Sequence, residues 1–145
     1  MRSLALVALL SFLAAPAPAQ SPVGRWVTVD EETGVEKSVV ELYLEGGRLF
    51  GRVVEILDAA DDAPRDAEGR IICTKCDGAR EDQPVVGMVI LWDLEEDGGE
   101  WEGGRVLDPE KGKTYRAKVW VEDERLQVRG YFGPFYRTQT WRPAG

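Results

Sequence analysis

Cys73 and Cys76 are the only thiols in 145 residues, spaced as Cys73-Thr74-Lys75-Cys76. That spacing admits three chemistries. A redox pair needs a thiol of lowered pKa, usually at a helix N-terminus within a βαβ unit. Here Lys75 favours the thiolate and Asp77 opposes it, and no helical pattern follows. A metal site needs about four ligands, so two thiolates would have to recruit carboxylates or a second subunit. A structural disulfide needs only an oxidising compartment. It would close a very short loop, and its contribution sits at the low end of about 0–5 kcal/mol. The disulfide is the expectation that asks least of the rest of the chain.

The chain contains no His. Ser-His-Asp and Cys-His nucleophilic sites are excluded, as is any His-ligated zinc or haem. Carboxylate, Lys or Tyr chemistry remains formally open, but no enzymatic activity, metal or cofactor is expected. Asp58, Asp61, Asp62, Asp66 and Glu68 miss the ligand spacing of a calcium loop and its central Gly, and read as a solvated acidic stretch. Asp108-Pro109-Glu110-Lys111-Gly112-Lys113 lacks the spacing and the following helix of a phosphate-binding loop. Its Pro and Gly suit a tight turn.

Five Trp, four Tyr and four Phe are the remaining chemical signal. Most belong to a core, since each ring buries a large area. Trp26, Trp92, Tyr115, Arg129, Tyr131 and Arg137 are the candidate ligand contacts. An inward Arg129 or Arg137 would offer a cation to a ligand carboxylate. An outward one would cover an aromatic ring.

These side chains need elements to hold them, and the pattern is one of strands. Runs with period-two alternation occupy Gly24–Val29, Lys37–Leu44, Leu49–Leu57, Val85–Leu94, Trp101–Leu107, Thr114–Val121, Leu126–Phe132 and Tyr136–Trp141. Gly46-Gly47 supplies a hairpin turn, and Gly51 marks a bulge or bend. No amphipathic helix of any length competes. Residues 58–84 break the pattern as one long loop, with a brief strand at Ile71-Ile72. Eight strands with hairpin-length connections manage their edges best by closing. The expected fold is all-β, an eight-stranded antiparallel up-and-down barrel in which the first strand pairs with the last. An interior of that size holds packed side chains or one small ligand. Which faces of the third to fifth strands point inward is left open by their two-sided apolar character.

Arg2, the twelve-residue apolar run Leu4–Ala15 and Ala17-Pro18-Ala19 fit a secretory signal peptide over residues 1–19. The run is too short to span a bilayer. One barrel domain over 20–145 follows, periplasmic or secreted. Its 17 basic and 26 acidic residues give a charge of −9, so nucleic acid and anionic lipid surfaces are poor partners.

Two resemblances bear on this architecture. Gly24-Arg25-Trp26 resembles the G-x-W first-strand signature of lipocalins and related calycin barrels. The resemblance implies that Trp26 closes the barrel floor under an Arg from the end of the last strand, a place Arg142 could take. The second is broader. Gly24-x-Trp26, Gly51-Arg52-Val53, Cys73-x-x-Cys76, Pro84-Val85-Val86-Gly87-Met88, Trp101-x-Gly103-Gly104, Asp108 to Tyr115, Arg129-Gly130-Tyr131 and Arg137 to Trp141 occur in this order. Together they are similar to the secreted bacterial family known as domain of unknown function 2147. The family often ends Trp-x-Arg, where this chain has Trp141-Arg142-Pro143. That resemblance implies a signal-peptide-bearing β-barrel without an agreed activity.

The function expected is binding of a small apolar or amphipathic, lipid-like ligand in the barrel. The alternatives are a filled barrel serving as an envelope interaction module, and a redox protein built on Cys73 and Cys76.

Overall fold

The computed structural model describes residues 11–13 and 20–145, so the expected signal peptide falls almost wholly outside the described residues. Eight strands, β1 (Gly24–Val29), β2 (Glu36–Glu45), β3 (Arg48–Ile56), β4 (Val89–Asp97), β5 (Glu100–Asp108), β6 (Lys113–Glu122), β7 (Arg125–Phe132) and β8 (Phe135–Pro143), follow one another around the wall. They form a closed antiparallel barrel in sequence order. The closing seam is short, with Trp26 opposite Pro143 and Val27 opposite Arg142.

Local chemistry explains the meander. Gly46 and Gly47 turn β2 into β3 with positive φ, and Gly98 and Gly99 do the same between β4 and β5. Asp123 and Glu124 also take positive φ between β6 and β7. The β1–β2 turn is held by Asp30, whose Oδ1 accepts hydrogen bonds from the backbone N–H groups of Glu32 and Thr33. The register slips on both sides of Gly51, where the strand bends as its glycine suggested.

The alternation decides what fills the barrel. Trp26, Val40, Leu42, Leu49, Val53, Leu91, Leu94, Trp101, Ala117, Val119, Leu126, Val128 and Trp141 are all buried, and the ladder registers set them on one face of the wall. Tryptophans 26, 101 and 141 lie toward the end where the chain enters. There Pro22 is buried and accepts a 2.8 Å hydrogen bond from Trp26 Nε1. This end is the floor. Arg142 stands opposite Val27 and not Trp26, which sends its guanidinium to the outer face. It meets Glu36 there at 3.0 Å.

Residues 57–88 form a second layer outside the barrel. Ile90 and Leu107 face away from the lumen yet are buried together with Cys73, Cys76 and Val85. Arg80, in the 3-10 turn Gly78–Arg80, lies 4.2 Å over the Trp92 ring and donates to Val89 O. A Cβ on Gly112 would sit 2.0 Å from Lys75 O, so that glycine lets the loop dock on the β5–β6 turn. Ile71 and Ile72 make isolated bridges to Arg65 and Pro84 in place of a strand. β4 begins at Val89 and not at Val85, because Gly87 turns with φ +92 and Met88 N–H closes back on Val85 O.

Candidate ligand site at the barrel mouth and along the outer wall

At the end opposite the floor, the inward face of β6 to β8 continues past the packed core. Tyr115 stands two residues before Ala117 on the inner face, opposite Val106. Phe132 pairs with Phe135, and Gly130 with Arg137, on the same face as Val128 and Leu126. The Gly130 Cα–H points at the Tyr115 side chain, since a Cβ there would meet Tyr115 Cβ at 3.4 Å. Tyr115 and Phe132 touch edge to face, 6.1 Å between centroids. The Phe132 and Phe135 rings are also 6.1 Å apart. Burial fades toward the rim: Val128 is 4% exposed, Phe132 48% and Phe135 65%.

Polar groups punctuate this apolar arc. Arg137 faces the lumen side of β8, exposed, and none of the described salt bridges engages it. On the neighbouring strands β1 and β2, Thr28 and Ser38 share a 2.7 Å hydroxyl contact. A tie between Lys37 and both Asp58 and Glu110 joins β2 to the β5–β6 turn, elements separated by β3 and β4 in barrel order. The Asp58 hydrogen bond, together with the nearby Glu110 carboxylate, raises the Lys37 pKa above its ordinary value.

The structure therefore divides the candidate contacts. Tyr115 and Arg137 come together at the mouth. Trp26 is in the floor, remote from the rim along β1. Trp92, opposite Arg105, faces outward beneath Arg80. Arg129 and Tyr131 also face outward, opposite Thr138 and Tyr136. Arg129 lies between two rings, 4.1 Å from the Tyr136 centroid and 4.9 Å from that of Trp120, and its Nε donates to Thr138 Oγ1 at 2.9 Å. Its cation covers aromatic faces and does not project into the lumen. Phe132 and Phe135 complete the mouth but were not among the sequence candidates. Their signal was the break in alternation at Gly133-Pro134, which leaves two Phe flanking a hairpin turn.

Cys73 and Cys76 are joined in a disulfide, their Cα atoms 5.4 Å apart. Both are nearly fully buried within the layer that packs on β4 and β5. The bond closes a four-residue segment within the outer loop and joins no part of it to a strand.

Residues 24–142 match the family described as "Uncharacterized protein conserved in bacteria (DUF2147)". Among solved structures, the chain is similar to protein HP1028 from the human pathogen Helicobacter pylori, which is described as belonging to the lipocalin family. The TM-score is 0.68 at 19% identity, over 86% of this chain and 84% of that one. Likeness at that identity speaks for the fold alone, a lipocalin-like barrel. No curated protein matches the chain.

Proposed function

Since the chain belongs to the bacterial DUF2147 family, whose description names no activity, we propose a function from the barrel itself: extracytoplasmic, non-catalytic binding of an amphipathic acid at the mouth. The observation that carries it is the pairing of exposed, inward-facing Phe132 and Phe135 with Tyr115 and an Arg137 free of carboxylate partners among the described residues. An alkyl chain would cover the aromatic arc, and its carboxylate would meet the guanidinium, a charge-assisted contact. The packed core below limits entry, so the ligand lies in the upper barrel and does not reach the floor. The outer wall carries Arg25, Glu41, Arg52, Lys118 and Arg129 along its height, unlike the apolar band of a membrane-embedded barrel. The disulfide and the HP1028 likeness support an exported carrier.

A second reading has an observation of its own. The filled lower barrel and the exposed Phe135-Tyr136 tip also suit a module that docks on a partner protein, the hairpin being the contact. Native mass spectrometry on protein recovered from the periplasm separates the two. Binding predicts a co-purified adduct in the mass range of a lipid-like acid, on a chain beginning at Gln20. A bare chain, unaltered when dodecanoate is added, contradicts the binding reading. An intact mass retaining residues 1–19 contradicts export by cleavage.

A further inference from the structure

Away from the mouth, the outer wall of β5, β6 and β7 holds a groove of about 380 Å³ lined by Glu102, Gly103, Arg105, Arg116, Lys118 and Tyr131. Arg105 and Arg116 stand directly opposite each other in the β5–β6 ladder. Like charges so placed repel. Neither has a carboxylate partner among the described salt bridges, although the chain carries 26 acidic residues against 18 basic ones. Lys118, two residues along the same outer face, opposes Glu102 and is bonded to Glu100. Its ammonium is thus neutralised, while Arg105 has only the Gly104 carbonyl, 3.3 Å from Nη1, and neither guanidinium meets a carboxylate among the described salt bridges. Tyr131 is opposite Arg116, with the Arg116 guanidinium 5.6 Å from its ring centroid.

The backbone opens this groove. The register shifts between Glu102 and Gly104, and Gly103, at φ +82, has nothing within 4 Å of where a Cβ would be. Gly104 is pressed the other way. A Cβ there would sit 2.1 Å from Trp92 O, so β4 and β5 approach too closely for any side chain. The bulge sets an open, side-chain-free edge beside two unpaired guanidiniums.

We propose that this groove binds a doubly charged oxyanion of the phosphate type, gripped by Arg105 and Arg116 from adjacent strands. Two forked donors match the several oxygens of a phosphate, and the bound charge removes the repulsion between them. Glu102 at the groove edge opposes the anion and favours a ligand small enough to stay on the Arg side. The phosphate could be free or the headgroup of a phosphomonoester lipid. The site is independent of the mouth, because Arg105 and Arg116 face the outer wall and Arg137 faces the lumen.

The test is an NMR titration of the full mature chain with inorganic phosphate, with chloride at matched ionic strength as the control. Binding predicts saturable shifts at Gly103, Arg105, Arg116 and Tyr131 with phosphate, and none that saturate with chloride. Arg105→Gln with Arg116→Gln should weaken the phosphate response at least tenfold and should raise Tm in phosphate-free buffer, since it removes the repulsion. Arg137→Gln should leave both responses unchanged. Phosphatidylcholine vesicles with and without phosphatidic acid form a second arm. Tighter binding to the phosphatidic acid vesicles, lost in the double variant, assigns the lipid headgroup. Response to free phosphate alone assigns a soluble ligand. Equal responses to phosphate and chloride, or a double variant that titrates like the native chain, overturn the proposal.

Discussion

Trp26 shows what one residue does here. Its ring is 5% exposed, and its Nε1 is satisfied by Pro22 O at 2.8 Å, so it contributes burial without an unpaired donor. Trp26→Ala should cost about 3–5 kcal/mol, read as a lower urea midpoint with an unchanged slope. A loss below about 1 kcal/mol would mean that the floor is closed by Trp101 and Trp141 without it. The Trp was legible from Gly24-x-Trp26, but its partner was not. Sequence proximity brings Arg142 near β1, whereas the register decides that it opposes Val27 and points outward to Glu36. A shift of one residue in pairing exchanges the two faces of a strand, and no residue type reveals that shift. Arg129 and Arg137 teach the same lesson. They are chemically equivalent, yet the odd parity on β8 sends Arg137 to the mouth and the odd parity on β7 sends Arg129 between Trp120 and Tyr136.

At the scale of elements, the strands were readable because alternation and turn glycines agree. The exception is β4, where apolar residues appear on both faces. Leu91 and Leu94 fill the lumen, while Ile90 is covered from outside by the loop that carries the disulfide. A sequence shows that both faces are apolar but not what covers the second one. Residues 57–88 are thus an outer layer, with Arg80 on Trp92 and Lys75 against Gly112. Replacing both Cys73 and Cys76 by Ser should loosen this layer and leave β1 to β8 paired. Hydrogen exchange should accelerate over residues 58–84, with a stability loss of about 1–2 kcal/mol. Collapse of protection in β6 and β7 as well would show that the barrel depends on the disulfide-bonded loop. A Cys73–Cys76 disulfide that oxidises a substrate dithiol to a disulfide, being itself reduced to two thiols, at a potential near that of strong cellular oxidants would restore a redox role.

For the whole molecule, acidity shapes the response to pH. Glu41 is held below the usual carboxylate range by hydrogen bonds from Arg52 and then Arg25. Asp30 is lowered chiefly by the backbone N–H of Thr33. At Asp66 desolvation pushes upward, but the backbone and side chain of Arg70 outweigh it and the net shift is down. A depressed folded pKa adds stability while the group is ionised, fully present above the unfolded value near 4. That stability is lost as pH falls through the folded value. The urea midpoint should therefore stay level from neutrality to about pH 5 and fall below about pH 4. Glu41→Gln should flatten part of that fall. A midpoint that rises on acidification would mean that repulsion among the acidic residues outweighs these contacts. The central claim at this scale is that the barrel is packed below and receptive above. Its most direct measurement is an NMR titration of the mature chain with dodecanoate, followed at the backbone amides. Saturable shifts at Tyr115, Gly130, Phe132, Phe135 and Arg137, with Trp26 and Trp141 unmoved and the affinity reduced about tenfold by Arg137→Gln, are the predicted result. No saturable shift at the mouth, or shifts centred on the floor tryptophans, would contradict it.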